Sequence, residues 1–297
     1  MNPHRRALIE LHACVVLWGF TAILGKLITL TAMQLVWWRM LLVTLALACF
    51  PRVWRAIGTL PPRLFGIYAG IGFVVAMHWL AFYGSVKLAN ASVAATTMAL
   101  APVVTALIEP LITGARFERH NLLLGLLVIP GVALVVGGIP GAMHLGFWIG
   151  VLSAALAALY NALNKRYLGH HDAMAVTWVE LGAGFLALAA IVPFAAPDGA
   201  AVVLPSVQDG AWLLVLAILC TLIPFAVSLA TLRHLSAFTA QLAINLEPVY
   251  AIGIAVLFLG EARELDGLFF IGVGIVLAAV FGHGWLQTRL TDRSPSV

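Results

Sequence analysis

Arg39, Glu180 and Glu247 read as charges at depth within long apolar runs. A charge in apolar surroundings is costly enough that pairing or function is its default meaning. Arg39 and Glu180 correspond under a shift of 141 residues, which allows either an ion pair between them or two symmetric structural sites. Glu247 either carries a coupling proton or accepts structural hydrogen bonds. Near it, Gln241, Asn245 and Pro248 fall at i, i+4 and i+7, so two amides and a proline share one helix face. Such amides line a cavity or bond between helices, since in lipid they must be satisfied.

A second group is His78, Trp79, Phe82 and Tyr83, with Trp79 and Tyr83 four apart and His78 four before Phe82. Its alternatives are an aromatic-walled pocket with one titratable group or a packing stripe. Trp18, Thr21 and Gly25 at i, i+3 and i+7 form a similar face whose glycine admits a close helix. Asn161 and Asn164, beside Tyr160, make a polar patch that faces something other than lipid, while Lys165 and Arg166 read as snorkelling topology signals. Pro102 and Pro248 each remove a helix donor and free the carbonyl four residues earlier, at Met98 and Ile244. Those oxygens offer ligand binding and a hinge, or the kinks serve packing alone. The chemistry within reach is noncovalent recognition of a small molecule together with carriage of a proton. Neither metal nor cofactor is expected: Cys14, Cys49 and Cys220 lie in apolar blocks without a CxxC, and His170 and His171 lack further ligands.

The elements that must position these groups follow from composition. Hydrophobic residues make up 63% of the 297 and charged ones only 9%, against roughly a quarter charged in a soluble domain. Mean hydropathy is +1.05, and the apolar residues come in blocks of about 20, the length a helix needs to cross a bilayer. Spans are expected near residues 7–30, 33–50, 64–86, 90–113, 121–138, 145–166, 173–194, 209–231, 236–259 and 265–284. The first run is too long for a secretory signal. A net charge of +4 does not signal nucleic acid, because the basic residues are scattered between apolar blocks.

With a cytoplasmic amino terminus, twelve of the sixteen Lys and Arg fall on the cytoplasmic side, among them Arg52, Arg63, Lys165, Arg233 and Arg293. This bias places both termini inside a cell (plasma) membrane, in multi-pass topology. A shift of 146 aligns Lys87–Glu118 with Arg233–Glu264, pairing Leu100 with Leu246, Pro102 with Pro248 and Gly114 with Gly260. The predicted fold is therefore all-α integral membrane, with ten transmembrane helices as two inverted five-helix repeats, 1–140 and 141–297. Inverted repeats are a transporter signature, since exchanging their conformations opens one site to either side.

Trp18-Gly19, Leu246-Glu247-Pro248-Val249, Leu259-Gly260-Glu261 and the stretch Asn161–Arg166 after Tyr160 together resemble the EamA family of the drug/metabolite transporter superfamily. The resemblance spans nearly the whole chain and departs from the family at Thr113-Gly114-Ala115, where Leu-Gly-Glu is usual. It implies export or exchange of amino acids, related metabolites or toxic compounds.

The expected function is thus a secondary transporter of small amphipathic metabolites, working by alternating access and not an enzyme. Substrate-binding candidates are Trp18, Thr21, His78, Trp79, Tyr83, Met98, Asn161, Asn164, Gln241 and Asn245; gating or coupling candidates are Pro102, Pro248, Arg39, Glu180 and Glu247. Partners are the small-molecule substrate, the lipid bilayer and coupling protons; no oligomeric state is specified. The rivals are a membrane enzyme using Glu180, Glu247 and His78 on a lipid-borne substrate, and a sensor without transport.

Overall fold

The computed structural model describes residues 3–114, 120–195, 203–224, 227, 231, 243–244 and 246–291, and every regular element among them is helical. In chain order these are α1 (Pro3–Leu27), α2 (Ala32–Ala48), α3 (Pro51–Ile57), α4 (Pro62–Leu88), α5 (Ala91–Met98), α6 (Ala101–Thr113), α7 (His120–Gly137), α8 (His144–Tyr167), α9 (Ala173–Ala195) and α10 (Val207–Leu214). A π-helical stretch, Val215–Leu222, continues α10. α11 (Glu247–Ile254) runs into a second one, Ala255–Leu259, and α12 (Gly267–Thr291) follows.

Helix starts are written in side chains. Thr31 and Gln34 form a reciprocal capping box on α2. Asn90 accepts from Val93 N–H at 2.9 Å, Asp172 from those of Met174 and Ala175, and Asp266 from those of Leu268 and Phe269. Among the described residues, five helical stretches are long and apolar enough to cross a membrane: Arg5–Leu27, Pro62–Leu88, Ala91–Thr113, Gly141–Tyr167 and Ala173–Pro193. A sixth segment, α2 with α3, is bent by 91°. That bend was not foreseen: residues 51–57 stand between two expected spans, yet Pro51 presets the first helical residue. Trp54 then anchors α3, packing on Trp178 with ring centroids 5.0 Å apart and donating Nε1–H to Ala48 O at 2.8 Å.

The mid-span prolines act differently from a simple kink. α5 stops at Met98, and the N–H groups of Ala99 and Leu100 reach back only three residues, to Thr96 O (3.1 Å) and Thr97 O (3.0 Å). Pro102 is the second residue of α6, where a missing donor costs nothing. The second half repeats this geometry. Leu246 N–H bonds Ala243 O at 3.0 Å, Pro248 is the second residue of α11, and Leu100 and Leu246 share nearly the same backbone angles, φ −82° and −78°, ψ −15° and −12°. Gly114 and Gly260 close the two segments in the left-handed region at φ 76° and 67°, which a side chain would strain.

Contacts follow the same correspondence. α2 packs on α9 and α7 on α12, each helix against its own counterpart, while α1 lies on α11 as α8 lies on α6. α4 packs against α8 and α9. At Gly72 the α9 backbone comes so close that a Cβ would collide with Glu180 O.

Candidate functional site

Arg39, eight residues into α2, is 5% exposed. Its Nε and Nη2 donate to Thr221 Oγ1 at 3.1 and 2.9 Å, its Nη1 donates to Tyr83 Oη at 2.7 Å, and the guanidinium lies 3.8 Å from the centre of the Trp79 ring. Trp79 and Tyr83, four apart on α4, thus present one face to a cation. Gly25 makes room for the Tyr83 ring from α1, where a Cβ would come within 2.6 Å of it. Glu180 takes a different partner: Asn164 Nδ2 donates to its Oε2 at 3.4 Å, while Glu180 Oε1 and Asn164 Oδ1 are buried without partners. Of the two readings of Arg39 and Glu180, the ion pair does not form among the described residues. Packing of α2 on α9 sends the two side chains to different neighbours.

A small cavity with room for about one water lies where the broken helices meet. Thr21 and Ala22 of α1, Phe82 of α4, Met98 of α5, and Glu247 and Pro248 of α11 line it. Five residues singled out from sequence, Thr21, Phe82, Met98, Glu247 and Pro248, therefore converge from four helices. Thr21 Oγ1 donates to Trp18 O at 2.7 Å, so it faces its own helix as well. Glu247 opens α11, where the helix dipole favours negative charge.

His78 is a tie between α4 and α8. Its Nδ1 lies 2.9 Å from Ser153 O, and Ser153 Oγ donates to His78 O at 3.1 Å. Phe82 and Tyr160 flank the imidazole, with centroids 6.5 and 5.5 Å away, and Ser153 Oγ lies 3.8 Å from Met98 Sδ. Asn161 is exposed. Gln241 and Asn245 lie outside the described residues. Lys165 and Arg166 do more than snorkel: Lys165 pairs with Glu109, and Arg166 donates to Ile112 O in the last turn of α6.

Two participants escaped the sequence reading, and a third, Glu261, entered it only as a motif residue. Glu109 sits in an apolar run like the other buried charges, so the rule that found them could have found it. Thr221 is one hydroxyl among many, and only the π-helical turn, where it donates to Leu216 O five residues back, sets it against Arg39. Glu261 is 1% exposed and accepts from the N–H groups of Ala91 at 3.0 Å and Ser92 at 2.8 Å, while Asn90 Nδ2 donates to Glu264 at 3.0 Å. The carboxylate thus caps α5 from the far half of the chain, at a separation no local spacing reveals.

These features define a multi-pass membrane protein built from two related helical halves. The EamA-like transporter family model matches residues 6–137 and again 144–285, and the chain belongs to that family. A crystal structure described only as that of a protein is similar in fold, with a TM-score of 0.63 at 17% identity over 98% of this chain and 99% of its own. None of the curated proteins matches.

Proposed function

We propose that this protein is a secondary transporter, an exporter of small amphipathic or zwitterionic metabolites, that works by alternating access across the plasma membrane with both termini cytoplasmic. The observation that carries the reading is the matched pair of helix breaks at Leu100 and Leu246 beside a cavity holding Glu247 and Pro248. Discontinuous helices in related halves place free backbone and helix termini at the midplane of a membrane, where transporters bind substrate. Ten inverted spans agree with the five long helices, the bent α2–α3 pair and four shorter apolar helices, Leu127–Gly137, Val207–Leu222, Glu247–Leu259 and Gly267–Ala279. The residues an acid–base enzyme would need have separate partners, His78 with Ser153 and Glu180 with Asn164.

Flux of candidate metabolites into proteoliposomes tests the proposal, with saturable exchange expected. Absence of flux for every amino acid and related metabolite tried, from protein that is folded and inserted, would overturn it. Coupling has its own test. Glu247→Gln keeps size and hydrogen bonding but cannot cycle a proton, so it is expected to abolish the dependence of flux on a pH gradient while sparing exchange. Flux through Glu247→Gln that still rises with the gradient excludes Glu247 as the carrier.

A further inference from the structure

We propose that Arg39 is the receptor for a carboxylate on the transported molecule, an inference that rests on the transporter reading and adds the class of ligand to it. The guanidinium is buried, yet its hydrogen-bond acceptors among the described residues are both neutral: Thr221 Oγ1 and Tyr83 Oη. Three of its five N–H groups are used, and no carboxylate among the described residues forms an ion pair with it. A tie between helices needs no charge, and a neutral side chain would make one without the desolvation penalty. A cation kept at depth with spare donors and no ion-pair partner among the described residues is suited to an anion that comes and goes. The planar fork matches a carboxylate at two points.

The surroundings favour exchange. Both neutral acceptors are hydroxyls, weaker partners for a guanidinium than the charge-assisted bonds a carboxylate would make. Thr221 stands on a π-helical turn, a widening that recurs at functional sites. Trp79 covers one face of the guanidinium and leaves its edge to the ligand. Tyr83 follows Phe82, which lines the cavity with Glu247.

Alanine, leucine, phenylalanine and glutamine, each paired with its carboxamide, form the probe set for exchange in proteoliposomes. The wild type is expected to move at least one of these acids tenfold or more faster than its amide, and Arg39→Gln to bring that ratio close to one. Arg39→Lys keeps the charge without the fork and should retain a reduced preference, which serves if Arg39→Gln fails to fold. Equal handling of acid and amide by the wild type, or an undiminished preference in either variant, would sink the assignment of Arg39 while leaving the transporter reading intact. A wild type that moves amides and amines but none of the acids likewise removes Arg39 alone. Loss of all flux, acid and amide alike, counts against both.

Discussion

Ser153 and His78 show how a polar pair in a membrane can be self-sufficient. Each side chain binds the other's backbone carbonyl, so neither requires water. Ser153→Ala removes one of these bonds, and a modest destabilisation of about 0.6 kcal/mol is expected, the average for hydrogen bonds between membrane helices. Thermal unfolding in detergent checks it, and a loss several times larger would mean that the hydroxyl organises more than this pair. At this scale the sequence was legible where one helix carries the whole pattern, as with Trp79 and Tyr83, whose spacing alone puts both rings on one side. It was illegible where the partner arrives from a distant helix, as Thr221 does to Arg39. The sequence leaves the aromatic group open between a pocket wall and a packing stripe; in the structure the imidazole is held by Ser153 and flanked by Phe82 and Tyr160.

Helices α4 and α9 meet at the backbone because Gly72 has no side chain. Gly72→Ala would drive a methyl into the Glu180 carbonyl, a contact that no rotamer change relieves. The helices must separate, at an expected cost of about 1–3 kcal/mol or more, visible as lost folded yield and a lower unfolding temperature; an unchanged pair would contradict the contact. The paired breaks invite a second substitution. Pro102→Ala restores a donor without disturbing the three-residue bonds of Ala99 and Leu100, so the segment gains helix propensity. Folded yield is expected to hold or rise while flux falls, since the break would open less readily; unchanged flux would make the proline a packing residue. The prolines themselves were plain in the sequence, but the site of the discontinuity was not. Proline excludes a helical bond at its own nitrogen, whereas the chain turns two or three residues earlier, where local carbonyl geometry decides.

For the molecule as a whole, the repeat was legible because Pro102 and Pro248, and Gly114 and Gly260, are residues whose backbone demands allow few substitutes. Topology follows from the distribution of basic residues, and it predicts that a reporter fused after Arg293 is cytoplasmic while one near Gly199 is on the outer side. Both reporters on one side would refute ten spans. The halves are unequal in one respect. Position 261 holds glutamate, and its counterpart under the shift of 146 is Ala115. The Glu261 carboxylate grips the first two amides of α5 through hydrogen bonds of the charge-assisted kind, each contributing about 1.5–3 kcal/mol. α5 and the turn after Gly260 are thereby yoked into one lever, and thermal motion seldom slides one along the other. Whatever displacement widens the cavity must carry both together and pivot farther along, at Leu100 and Leu246. The counterpart alanine carries no carboxylate that could form such a yoke, so the second half's clasp has no copy of the same chemistry at that position of the first.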